Sequence, residues 1–191
     1  MAAPKFPTLQ LFSPEFLICA GAILFQPPRD RPDSPLQVCI LFHPQKDEYL
    51  LPKGRKDISE NPYHTALRET YEETGYPCDF LPVRMHTRAP QAGEDIKDTA
   101  NGRELFPLTE PFAMTFRNVG GGTDKNYKMI WWFIAKVTGE KQEGTMTASE
   151  GFQSCWFSET EVVEKLTFES DRDVVRKALE LVRATYVTDS T

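Results

Sequence analysis

The stretch from Gly54 to Tyr76 reads GRKDISENPYHTALRETYEETGY and joins a helix signature to a dense run of acid. Asn61-Pro62 supplies an N-cap residue followed by proline at the first helical position. Gly75, with Pro77 just beyond, supplies the stop. On a wheel with Glu69 at zero, Glu72 falls near ~300° and Glu73 near ~40°, so three carboxylates share an arc of roughly 100°. Tyr63, Leu67, Thr70 and Thr74 fall near ~100–160°, with Ala66 at the edge, and are expected to form the buried stripe. His64 and Tyr71 are expected to point toward solvent or a neighbouring loop. Like charges three and four residues apart repel, and the macrodipole disfavours them near a helix C-terminus. An isolated E-x-x-E-E is ordinarily a solvated acidic face. A hard divalent cation such as Mg²⁺ or Mn²⁺ removes the repulsion, because it takes oxygen ligands and keeps waters of its own. Arg68 adds a planar donor able to hold one carboxylate in place.

The spacing around these residues is specific. Gly54 is followed after five residues by Glu60, then after seven by Arg68-Glu69, after two by Glu72-Glu73, and after one by Gly75. This pattern resembles the signature of the Nudix hydrolases. One departure is Thr70, where that family usually carries an aliphatic residue; a hydroxyl on the buried stripe is expected to loosen packing slightly and leave the charged face alone. The resemblance implies an α/β fold, a Nudix-type α/β/α sandwich with a mixed sheet. It also implies hydrolysis of a phosphoanhydride in a nucleoside-diphosphate-linked or similar substrate. A polyphosphate would be repelled by an acidic helix, so Mg²⁺ (or Mn²⁺) must lie between the two. By the same resemblance Glu72, Glu73, Glu69 and the Gly54 carbonyl are metal ligands, and Glu60 lies near the metal. The implied catalytic set is Glu69, Glu73, Arg68 and Glu150: Glu69 is a further ligand or the base that takes the water's proton, Glu150 is an extra acidic ligand or base, and Arg68 orients the carboxylates. For Glu150 a surface-loop glutamate is an equal reading.

Just before the box lies Leu51-Pro52-Lys53-Gly54. Pro-Lys-Gly here resembles members acting on dinucleoside polyphosphates or diphosphoinositol polyphosphates, whereas many ADP-sugar hydrolases carry Pro-Gly-Gly or Pro-Ala-Gly. Lys53, Arg55 and Lys56 are the expected substrate-binding cations, suited to a long polyphosphate. Arg84, His86, Arg88, Lys125 and Lys128 either border the same cleft or form ordinary solvent faces. Pro90, fifteen residues after Gly75, resembles the proline of ADP-ribose-type members of that family and implies instead an ADP-ribose or nucleotide-sugar pyrophosphatase. A non-catalytic nucleotide-binding module is the remaining alternative, although every box carboxylate is present.

Outward from the box, apolar runs predict strands over Leu17–Phe25, Leu36–Phe42, Tyr49–Leu51, Phe80–Arg88, Pro111–Arg117, Tyr127–Val137 and Phe152–Phe157. Trp131, Trp132 and Phe133 read as core. Two further helices are expected, one opened by the capping box Ser158-Glu159-Thr160-Glu161 and one from about Asp171 to Tyr186. Residues 1–15 read as an irregular arm and 89–110 as a long loop, within one domain spanning 1–191.

Composition bounds the partners. Twenty-two Lys and Arg against twenty-eight Asp and Glu give a net charge of −6, which argues against nucleic acid and for a small-molecule polyphosphate held by a local basic patch. The longest uncharged apolar run, Phe16 to Phe25, has ten residues and is too short to span a bilayer. Cys19, Cys39, Cys78 and Cys155 form no paired or metal-finger spacing, so a cytoplasmic or also nuclear protein is expected.

Overall fold

The structure is a computed structural model that describes residues 5–27, 35–95, 97, 102–120, 125–146 and 151–187. The chain opens with an irregular arm ending in a short 3-10 turn at Ser13–Glu15, then runs through β1 (Phe16–Phe25), β2 (Gln37–His43), β3 (Glu48–Leu50) and β4 (Lys53–Arg55) into α1 (Pro62–Thr74). It continues through β5 (Cys78–Phe80), β6 (Val83–Thr87), β7 (Arg103–Leu108), β8 (Ala113–Asn118), β9 (Tyr127–Val137) and β10 (Gln153–Ser158) to α2 (Glu159–Lys165) and α3 (Glu169–Tyr186). One sheet has the order β10-β2-β1-β9-β5, with β3 beside β2, β4 beside β1 and β8 beside β9; β6 and β7 pair separately. β1 and β9 run parallel along their full length while the other pairings are antiparallel, so the sheet is mixed.

Alternation along β1 assigns its two faces. Cys19, Ile23 and Phe25 join a core with Val162, Val175, Ala178 and Val182 of α2 and α3. Ala20, Ala22 and Leu24 join the opposite core, with Ala66 and Leu67 of α1. The result is the expected α/β/α sandwich. Trp132 and Phe133 are buried and Trp131 packs at the margin of the α1-side core, as their apolar run implied.

The strand count differs from the sequence expectation in three places. The run Phe80–Arg88 is two strands in different sheets, because Pro82 has no N–H to donate and the chain turns there. The expected long loop 89–110 contains β7, whose Pro107 concealed it; a proline is tolerated because the two-stranded β6–β7 sheet offers only edges. β4 was also concealed, being three polar or glycine residues with no periodicity to read.

The phase of α1 differs as well. Its buried residues are Thr65, Ala66, Glu69, Thr70, Glu73 and Thr74, whereas Tyr63 is exposed and Leu67 half-buried. Two carboxylates therefore share the sheet-facing side instead of an exposed face. Tyr63 still packs by its ring, 3.9 Å from Phe80. Thr70 is not a loosening of the core. β1 pairs with β2 at Leu24 and Phe25 and with β4 at Cys19 to Gly21. Ala22 falls in the gap between these partners, and its N–H donates to the Thr70 hydroxyl at 3.1 Å.

Thr70→Val matches the native volume and branching, so its effect reports the hydroxyl. We expect a loss of about 1–3 kcal/mol for the stranded Ala22 N–H, measured by urea unfolding. Unchanged stability would show that Ala22 has another partner.

Candidate active site

α1 begins with the Asn61 side chain accepting from the His64 N–H and ends at Gly75, which takes the left-handed φ of 80°. A side chain at Gly75 would also press on the Gln142 carbonyl, because the loop from 139 to 146 closes over this helix end. Within that loop the Gln142 N–H donates to the Gly75 carbonyl at 2.8 Å, and the Thr145 hydroxyl donates to the Glu72 carbonyl at 2.9 Å. The C-terminal end of the helix is therefore gripped by this loop. Glu150, further along the same connection, lies outside the described residues.

The carboxylates meet at Arg68. Its Nε and Nη2 donate to the two oxygens of Glu60, at 2.9 and 2.8 Å, as a two-pronged fork. Nη1 donates to Glu69 at 2.8 Å and to Glu72 at 2.9 Å, and Nη2 also reaches the Arg55 carbonyl at 3.0 Å. Glu60 accepts further from the Thr65 hydroxyl at 2.7 Å and the Asp57 N–H at 3.1 Å. The guanidinium bonds, with help from Thr65 and Asp57, pull the Glu60 carboxyl down to about 2. The same bond to Glu60 raises Arg68 above its already high ordinary value. One cation thus joins three glutamates of the box.

The strand before the helix completes the arrangement. Glu69 and Glu73 are 8% and 5% exposed, burial that an ionised group tolerates only with partners. Glu73 accepts the Lys53 N–H at 2.7 Å. Gly54 pairs with Ala20 of β1 and so faces α1, where a Cβ would come within 1.9 Å of a Glu69 oxygen. Only glycine lets the strand lie this close to the Glu69 carboxylate. Glu69, Glu72, Glu73 and the Gly54 backbone are hard oxygen donors, the chemistry that suits Mg²⁺ or Mn²⁺. Among the described residues no three acid, His or Cys side chains already converge as a metal cage. Two of the three helix glutamates are instead held by Arg68.

The expected substrate cations separate. Lys53 and Arg55 pair with Gly21 and Cys19 and therefore face the opposite side of the sheet, toward α3. Lys56 turns back onto its own loop, donating to the Asp57 carbonyl at 2.7 Å. Of the further basic residues, Lys128 pairs with Leu17 and shares the face of Lys53 and Arg55. Arg84 and His86 instead line a groove against α3 with Glu104 and Glu180, and Lys125 sits 3.5 Å from Glu15. Arg88 lies just past β6, and Pro90 is exposed two residues on. Sequence reasoning missed Thr65, Thr145, Arg117 and Asp171. The signal for Arg117 was alternation: it pairs with Lys128 on one face. Thr65 and Thr145 gave no such signal.

A family model described as NUDIX domain matches residues 37–178. An 8-oxo-(d)GTP phosphatase of Mycolicibacterium smegmatis is 26% identical over 164 residues, 83% of this chain and 40% of the relative. A probable DHNTP pyrophosphohydrolase of Lactococcus lactis is 33% identical over 64 residues, 34% of each chain. The chain thus spans well under half the length of these curated relatives. Among solved structures, a Nudix-family hydrolase from Clostridium perfringens superimposes with a TM-score of 0.53 at 13% identity, covering 88% of this chain and 98% of that one. A C. elegans Ap4A hydrolase in a binary complex gives 0.53 at 15% identity, covering 84% and 93%. At such identities the structural likeness establishes the fold.

Gly54→Ala should displace Glu69 while leaving the sheet paired, since the clash is with a side-chain end. We expect hydrolytic activity to fall about tenfold or more with unfolding unchanged; full activity would mean that Glu69 is not needed where it stands. A second outcome follows from Glu60. Its folded value is depressed, so its contribution is complete above the ordinary carboxylate value of 4.5 and is lost as pH falls toward about 2. In EDTA, the stability gap between the native protein and Glu60→Gln should be full at neutral pH and close across that window. A gap independent of pH would separate Glu60 from Arg68.

Proposed function

The chain belongs to the Nudix family, and we propose that it is a metal-dependent pyrophosphohydrolase acting on a dinucleoside polyphosphate or a diphosphoinositol polyphosphate. Family members generally use divalent metal ions. The observation that carries the reading is the intact set of helix glutamates: Glu69 and Glu72 are joined through Arg68 to Glu60, Glu69 lies against Gly54, and Glu73 accepts the Lys53 N–H. A module that has lost catalysis has no use for buried carboxylates held at this cost.

In this reading Glu69, Glu72, Glu73 and the Gly54 carbonyl hold Mg²⁺ or Mn²⁺. The bound metal would polarise phosphoryl oxygens and lower the pKa of an attacking water. The chain's own residues do the rest. Glu60 has both oxygens occupied by Arg68, Thr65 and Asp57, so its part is to aim Arg68. Arg68 in turn orients Glu69 and Glu72 and offsets their mutual repulsion before substrate arrives. The Lys53 N–H fixes Glu73. Glu69 is then either a further ligand or the base that takes the proton of the attacking water, and Glu150 is the other candidate for that role.

Substrate choice rests on the cations. Lys53, Arg55 and Lys128 share one face, which suits a chain of phosphates better than a single diphosphate. Lys56, bonded to its own loop, contributes less. The names of both curated relatives also point to triphosphate substrates, in favour of a longer phosphate chain over ADP-ribose. No helix among the described residues is long and apolar enough to cross a membrane. Four free cysteines and the small-molecule reading support a cytoplasmic placement.

The test is phosphate or nucleotide release with Mg²⁺ across diadenosine polyphosphates, diphosphoinositol phosphates, ADP-ribose and capped RNA. We expect the first two classes to lead, and Glu72→Gln or Glu73→Gln to lower the rate by about two orders of magnitude or more with folding intact. Near-full activity in both variants would overturn the metal face. ADP-ribose as the best substrate would replace the polyphosphate reading, and no hydrolysis at all would leave a binding module.

A further inference from the structure

The α3 face of the sheet carries cations that the fold crowds together. Arg117 of β8 stands directly opposite Lys128 of β9, a like-charge pair that by itself opposes sheet formation. Lys128 is paired with Leu17 of β1, and Lys53 and Arg55 of β4 flank β1 from its other side at Gly21 and Cys19. All of these positions share one parity and therefore one face. The Cys19 thiol between them is raised by burial; Lys128, Lys53 and Arg55 pull it back down, while Glu69 adds to the rise. Into this cluster α3 sends a single acid. Asp171, in the first turn of α3, is 7% exposed, and its Oδ1 lies 3.7 Å from an Nη of Arg117. Burial raises the Asp171 carboxyl, while the charges of Arg117 and then Lys53 oppose that rise.

The distance and the burial describe a loose ion pair. At 3.7 Å the charges attract without the short bidentate bonding that Arg68 makes to Glu60, and the Arg117 side chain remains 40% exposed. Such a pair neutralises a cation without consuming its donors.

We propose that Asp171 is a specificity-determining residue of this cationic face, an internal counter-ion with which an incoming polyphosphate must compete for Arg117 and Lys53. Asp171 keeps the cluster stable while no ligand is bound, by offsetting the Arg117–Lys128 repulsion. It also holds down the affinity for phosphate chains, so that an anionic product leaves. A purely structural acid would give the opposite result on removal, because loss of packing weakens binding, whereas loss of a competitor strengthens it. The inference deepens the polyphosphate reading and rests on it for its role in turnover.

Binding of inorganic tripolyphosphate, followed by calorimetry in EDTA, tests it without hydrolysis. Asp171→Asn should bind tripolyphosphate about threefold tighter or more, since the cluster gains close to one net positive charge. It should also show a larger rise in Tm on adding tripolyphosphate than the native protein. Adding Arg117→Gln to Asp171→Asn should abolish the gain. In steady state, KM for the best substrate should fall while kcat does not rise. Asp171→Ala is the second variant, because alanine has high helix propensity and removes the carboxyl altogether. Unchanged or weaker tripolyphosphate binding in either folded variant overturns the proposal. That result would count against Asp171 alone, whereas failure of the native protein to hydrolyse any of the panel would count against the substrate reading alone.

Discussion

Glu69 and Glu73 are buried between a helix and a strand, and their burial depends on donors: the Arg68 guanidinium for Glu69 and the Lys53 N–H for Glu73. A buried carboxylate costs several kcal/mol unless its oxygens find donors. The guanidinium supplies donors to Glu60, Glu69 and Glu72 at once and is itself fixed by the Glu60 fork. Glu60 is fixed in turn by Thr65 and by the Asp57 N–H of the connecting loop. The loop between β4 and α1, the helix and the strand are therefore held by one electrostatic junction. A lysine in place of Arg68 would keep the charge and lose the geometry, since an ammonium cannot span a fork and a second pair of acids in one plane.

The strand geometry is matched to this junction. β1 exchanges β2 for β4 partway along its length, and this brings Lys53 and Gly54 beneath α1. The exchange leaves the Ala22 N–H without a strand partner, and a helix residue answers it through the Thr70 hydroxyl. An aliphatic residue at that position would fill the same volume and satisfy nothing. The departure from the usual family residue is thus a solution to a local backbone need created by the same exchange that builds the site.

The sequence spacing from Gly54 to Gly75 was enough to identify the helix, its caps and its acids, because these depend on residues close in the chain. The apolar runs of β1, β2 and β9 were equally legible, since strands buried on both faces need little else. What was hidden depends on contacts distant in sequence. The side of α1 that meets the sheet is set by where β4 lies, and β4 has no hydrophobic signature. The expected stripe left out Glu69 and Glu73 because their partners, Arg68 and the Lys53 N–H, are not visible in the periodicity of the helix. β7 was hidden by Pro107, and the split at Pro82 by a run that is apolar on both sides of it. Arg117 and Asp171 are 54 positions apart by numbering and meet only once β8 has found β9 and α3 has packed across the sheet.

The two faces of β4 explain why acid and base coexist in so small a region without cancelling each other. Successive residues point to opposite sides, so Gly54 faces the glutamates of α1 while Lys53 and Arg55 face α3. If the lysine and the glycine exchanged places, the cation would lie among the carboxylates and join Arg68 in neutralising them. Metal affinity would then suffer, since a cation already in place competes with the metal for the same oxygens. With the observed order, Lys53 touches the acidic side only through its backbone N–H, on Glu73, and keeps its side-chain charge for the other face. A three-residue strand thereby separates the groups suited to holding a cation from those suited to holding an anion, yet keeps them within one peptide unit of each other. That proximity is what a reaction needs when a metal must meet one end of a phosphate chain and fixed positive charge the other.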